Sequence, residues 1–223
     1  SDLHTWLVKR PEKWNWVILQ EQSQIPGFYQ IPGFPKEVSF KTSEESAAKL
    51  NSLIRKIPHA ETLFLLTWGR KEYDERNPDL YPDFKTMQHR LTHGYKRYVR
   101  ATSTKSRPTY VAPVGLVFER IYEDIKKAGL DPAEEGSLFD QLYMEDGSHP
   151  SLAGSYVAAL TIYATIMGDD ARNVYWRPDG LEREVALAIQ DAVSRTIAYT
   201  ASHDIITYPW HHESPDVDDK KDD

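Results

Sequence analysis

Short apolar runs bounded by polar clusters alternate along this chain with longer segments whose apolar residues recur at helical spacing. Trp16-Val17-Ile18-Leu19 is a continuous apolar run of the kind a fully buried parallel strand shows, and the polar cluster Gln20-Glu21-Gln22-Ser23-Gln24 follows it at once. The same grammar returns at Thr62 to Thr67 and at Pro108 to Val114. Helices are predicted from a Thr42-Ser43-Glu44-Glu45 cap to about Lys56, from Phe84 to Ala101, and from Gly115 onward through Phe118, Ile121, Tyr122 and Ile125. Two more run from Leu152 to Met167, ending at Gly168, and from Leu181 to about Thr200 with Val185, Ala188, Ile189, Val193 and Ile197 on one face. Strands alternating with helices of about 10 to 18 residues predict βαβ units and a parallel sheet, an α/β fold. Ile25-Pro26-Gly27-Phe28 and its near copy Ile31-Pro32-Gly33-Phe34 predict a Pro/Gly loop whose apolar tips either line a pocket or tuck onto the core.

Composition narrows the picture. At 223 residues, 40% of them hydrophobic, the chain can bury one sizeable core, and a single domain over residues 1–205 is expected. The net charge of -7 argues against a nucleic-acid partner, and Glu213 to Asp223 holds six acids against two lysines. Residues 206–223 therefore read as an acidic, disordered tail. No run of about 18 apolar residues is present, so no membrane span is expected. The start, Ser1-Asp2-Leu3-His4-Thr5-Trp6-Leu7, has no signal-peptide pattern; Leu3, Trp6 and Leu7 share a helical face, as if the chain began inside a domain. Compartment and oligomeric state are not legible. With no cysteine there is no disulfide and no thiolate chemistry. Six tryptophans and thirteen tyrosines suit either a groove for sugar rings or acyl groups, or plain core filling.

The candidate chemistry sits in Asp146-Gly147-Ser148-His149-Pro150-Ser151. Asp146 and His149 are three residues apart on a Gly-containing turn, so the carboxylate can reach the imidazole, fix its tautomer, and leave the other ring nitrogen as a general base. Pro150 fits the first helical turn, and Ser151, Gly154 and Ser155 let the helix begin close to a neighbouring backbone. A capping aspartate beside a surface histidine is the bland alternative. Other clusters carry less. His203, His211, His212 and Glu213 lack an i, i+4 pattern, and His89 and His93 have no Glu after the first histidine, so no metal is expected. The basic stretch Lys96, Arg97, Arg100, Lys105 and Arg107 reads as a solvated helix end and loop, and no Gly-rich phosphate loop is present.

These residues resemble the SGNH (GDSL-like) hydrolase superfamily. Trp16 to Gln24 is similar to its third motif, in the branch that carries Leu-Gln-Glu-Gln-Ser in place of Gly-x-Asn-Asp, and Asp146 to Ser151 with Leu152, Gly154 and Tyr156 is similar to its last motif. Thr67-Trp68-Gly69-Arg70 and the final amphipathic helix also resemble that branch, over roughly Trp14 to Ala198. The resemblance implies a flavodoxin-like three-layer parallel sheet and ester hydrolysis by a Ser-His-Asp triad, with no cofactor and a small-molecule ester as partner. His149 would be the base, Asp146 its orienter and Gln22 the side-chain amide donor to the oxyanion; Ser23, Trp68 and Arg70 would contact substrate.

The nucleophile motif of that family, Gly-Asp-Ser or Gly-Asn-Ser after the first strand, does not occur in this chain, and the resemblance begins at the family's third strand. A serine upstream of Ser1, with the first strands of the sheet, is one expectation. Ser23 or Ser148 as nucleophile is another, and a non-catalytic carbohydrate-binding module or inactive relic is the third.

Overall fold

The computed structural model describes residues 14–31, 36–72 and 80–212. Three strands, β1 (Trp16–Leu19), β2 (Glu61–Leu65) and β3 (Tyr110–Ala112), form a parallel sheet in the order β1-β2-β3. Register runs Leu19 to Phe64 and Phe64 to Val111. Among the described residues six α-helices accompany them: α1 (Gln24–Phe28), α2 (Lys36–Ile54), α3 (Phe84–Thr102), α4 (Val114–Lys127), α5 (Leu152–Met167) and α6 (Arg183–Ser202). The architecture is α/β with every strand pair parallel, as the alternation of runs predicts.

The two sheet faces follow from the two-residue period of a strand. On one, Phe64 stacks on Tyr98 of α3 with centroids 5.8 Å apart, and Thr62 donates a 2.8 Å bond to Asn51 of α2. On the other, α5 covers β3, and α4, α5 and α6 pack against one another. Leu63, Ala112, Val117, Phe118, Val157 and Val193 are wholly buried in the shared core.

Several expectations move. β1 is not buried on both faces: among the described residues it pairs only with β2, and Ile18 is 42% exposed. The first Pro/Gly copy is no loop tip but the short helix α1, with Pro26, Gly27 and Phe28 buried against α3; Pro32, Gly33 and Phe34 lie outside the described residues. The Thr42-Ser43 pair does not cap α2, which starts six residues earlier, because Ser43 bonds through its hydroxyl to the Glu21 carboxylate and Tyr98 instead. The packed chain also runs past residue 205. Ile206 and Tyr208 are buried, Tyr208 shares a 2.6 Å hydrogen bond with Thr200, and its ring stacks on Trp210 at 4.8 Å. Apolar side chains with a bonding partner outweigh the acidic composition that suggested a tail there. Leu3, Trp6, Leu7 and the acids from Glu213 on are outside the described residues.

Most aromatics fill the core. Tyr81, Tyr95, Tyr98, Tyr208, Phe28, Phe40, Phe84, Phe118 and Phe139 are among its largest buried side chains.

Candidate functional site

The segments leaving β1 and β2 at their C-terminal ends and the turn entering α5 meet through a few directed bonds. Parallel strands place their C-terminal loops on one edge of the sheet, where open α/β folds hold ligands. Ser23, just past β1, donates through Oγ to Thr67 Oγ1, just past β2, at 3.1 Å. Trp68 donates its indole N–H to the Ser148 carbonyl at 3.1 Å, and the Lys71 amide donates to the Gly147 carbonyl at 2.8 Å. The histidine turn is thereby tied to β2 although 80 residues separate Trp68 from Ser148.

The turn has its own scaffold. His149 accepts through its carbonyl from the Met144 amide, Gly147 donates to Met144, and Tyr143 bridges Pro150 antiparallel, so residues 143 to 150 form a tight hairpin-like loop. Gly147 sits at φ +61°, a left-handed conformation that a side chain rarely adopts. Ser151, not Pro150, begins the helix: its extended backbone and Oγ, which accepts from the Gly154 amide at 3.2 Å, make it the N-cap. Pro150 therefore precedes the cap instead of filling the first turn. A Cβ built on Gly154 would lie 2.2 Å from the Leu142 carbonyl oxygen, so the close approach of backbones expected at this helix start is present. Gly168 closes α5 in the left-handed conformation.

Within this loop Asp146 makes three bonds, two of them to His149. Oδ1 accepts from the Ser148 and His149 amides, each at 2.9 Å, and Oδ2 lies 2.5 Å from His149 Nδ1. The imidazole bond first and the two amides second depress the Asp146 carboxyl to about 2. The carboxylate is thus ionised at neutral pH and fixes Nδ1 as the protonated nitrogen. Nε2 makes no hydrogen bond with a described residue, and the His149 side chain is 74% exposed. The pair can take a proton from a hydroxyl presented at Nε2 and stabilise the resulting imidazolium.

Gln22 sits in the loop after β1. Its side-chain oxygen accepts from the Gln24 amide at 3.0 Å, while its own amide donates to Glu21 Oε1. With the oxygen so engaged, the side-chain NH2 keeps both donors free among the described residues. Unengaged N–H donors are what an oxyanion requires of its partner.

The other expected contacts have structural duties here. Trp68 stacks face to face on Phe118, centroids 4.9 Å apart, and its N–H is committed to Ser148, so it braces the histidine turn. Arg70 lies against Tyr81, its Nη1 3.4 Å from the phenol oxygen and its guanidinium 6.0 Å from the ring centre. Ser23 is bound to Thr67, and Ser148 has its amide and carbonyl both engaged.

Two supports have no sequence signature. Lys71 carries the turn through its amide, while its ammonium is held by Asp140 at 2.6 Å. Glu21 organises the floor behind Gln22, where its carboxylate meets Ser43, and its amide lies 3.3 Å from the Tyr95 hydroxyl. Burial pushes the Tyr95 phenol up to about 12, so it stays neutral. A lysine or glutamate in a polar loop reads as solvated surface until its partner is known.

No family model and no curated protein matches the chain. The chain is similar to two solved structures. A DUF4886 family protein from Bacteroides uniformis superposes with a TM-score of 0.66 at 18% identity, covering 94% of this chain and 70% of that one. A protein from Slackia heliotrinireducens, described as a candidate SGNH hydrolase, gives a TM-score of 0.49 at 23% identity, covering 71% of this chain and 67% of that one.

Proposed function

We propose that this chain carries the base half of a serine ester hydrolase of the SGNH type, acting on a carbohydrate or other small acyl ester. The observation that supports it is the Asp146–His149 pair: a carboxylate locked by two amides orients an imidazole whose second nitrogen is open. In this reading a serine from sequence preceding Ser1 gives its proton to His149 Nε2 as its oxygen attacks the ester carbonyl. Gln22 donates N–H to the oxyanion. His149 then returns the proton to the leaving alcohol, and water, activated by the same nitrogen, releases the acid.

Ser23 and Ser148 fit the nucleophile's place poorly. Ser23 is bound to Thr67, and Ser148 lies between the two members of the dyad.

Turnover of an acetyl ester by the protein with its native upstream sequence tests this. His149→Ala is expected to lower kcat by at least about 10³ and Gln22→Ala by about 10² to 10³, the loss of one oxyanion donor. Wild-type turnover that His149→Ala leaves intact would refute the assignment. Saturable binding of the ester without turnover by the folded protein would instead support a binding module.

A further inference from the structure

A cavity of about 480 Å³ lies along the outer edge of β3, between α3 and the segment that follows α6. Apart from Tyr95, whose hydroxyl meets the Glu21 amide, it shares no lining residue with the candidate site, and its size falls within the roughly 300–1,000 Å³ typical of small-molecule sites. Its floor is apolar: Val111 of β3 and Leu116 of α4 meet Leu66, just past β2, and Ile206, past α6, and all but Leu116 are buried, so the surface is preformed by the core. Its mouth is cationic. Lys96 and Arg100, both exposed, stand one turn apart on α3 and form no ion pair or hydrogen bond with a described residue.

That pairing is unlike the neighbouring cleft over α4, where Lys85 is tied to both Glu119 and Glu123 at 2.6 Å. The local field is positive as well: Arg100, Arg97 and Lys96 all help to lower the His93 pKa, after desolvation. One acid, Asp204, also borders the mouth, in a left-handed conformation at φ +51°. It limits the negative charge the mouth accepts and so favours a monoanion over a phosphate dianion.

We propose that this cavity binds an amphipathic monocarboxylate of medium chain length, its chain over Leu66, Val111, Leu116 and Ile206 and its carboxylate between Lys96 and Arg100. Apolar contact supplies the affinity, and the two unpaired cations select the acid over the alcohol. Asp204 works against binding.

Isothermal titration of the full chain with sodium decanoate, below its micellar concentration, tests the site without reference to turnover. Saturable binding at one site per chain is expected, weakening with added salt. Lys96→Gln with Arg100→Gln should lower affinity at least about tenfold, decan-1-ol should bind at least about tenfold more weakly than decanoate, and Asp204→Asn should tighten binding. Thr207→Trp, an exposed position on the lining, should block the site while leaving Tm unchanged. Absence of saturable decanoate binding would overturn the proposal, as would equal binding of decan-1-ol or full affinity in the double glutamine variant.

Discussion

Asp146 spends both carboxylate oxygens on its own loop, and that governs how the site responds to pH. Its carboxyl is depressed to about 2, chiefly by the His149 ring and then by two amides. A depressed acid stabilises the fold above its unfolded pKa, near 4, and loses that contribution as pH falls through the folded value. The loop should therefore be intact at pH 4 and come apart only toward pH 2. A carbon-detected NMR titration of the Asp146 carboxyl is expected to show its midpoint near 2 in the wild type and nearer 4 in His149→Ala. A wild-type midpoint near 4 would mean that the three bonds do not hold in solution. This pairing was legible from the Asp-x-x-His spacing alone, because all its members lie within four residues. The amide grip on Gln22 Oε1 is just as local but not legible, since glutamine rotamers leave no sequence trace.

At the scale of elements, the histidine turn is positioned by what β2 sends out. Trp68 reaches it through one indole hydrogen bond while its ring is pinned on Phe118 of α4. Trp68→Phe keeps the stacking surface and removes the donor. It should cost about 1 kcal/mol in urea unfolding and raise amide exchange at Ser148 and His149 while leaving α4 protected. Equal exchange in both proteins would show that Lys71 alone holds the turn. The helices at Leu152, Phe84 and Gly115 were legible because strong periodicity and clear stops coincide there, down to Gly168. Helix α1 was not: five residues carrying Pro and Gly read as a loop, and only the packing of Phe28 under α3 makes them a helix. Nor could the pattern of β1 tell a central strand from an edge one. Trp16 to Leu19 is apolar throughout, yet Ile18 is exposed on a strand with one described neighbour.

The whole molecule extends its core farther along the chain than composition suggests. Tyr208 is fully buried, its phenol is pushed up by burial, and it joins α6 through Thr200. Tyr208→Ala should cost about 3–5 kcal/mol, the loss of a buried aromatic, and ending the chain at residue 205 should cost at least as much. Thermal unfolding of the two variants beside wild type measures both. An unchanged Tm on truncation would return residues 206–212 to the tail. Charge-rich sequence after residue 212 masked this boundary, because a window dominated by acids hides three aromatics and aliphatics that find partners. The sheet, by contrast, was legible as a whole: three apolar runs with helices between them leave parallel pairing as the simple outcome, and the likeness to the Bacteroides uniformis structure is one of fold.

Labelling the protein from its native source with a serine-reactive fluorophosphonate, followed by intact mass and mapping of the modified residue, tests the central proposal most directly. The expected result is a single modified serine upstream of Ser1, lost in His149→Ala. Modification of Ser23 or Ser148 would contradict an upstream nucleophile, and no labelling of the folded protein would contradict the esterase itself.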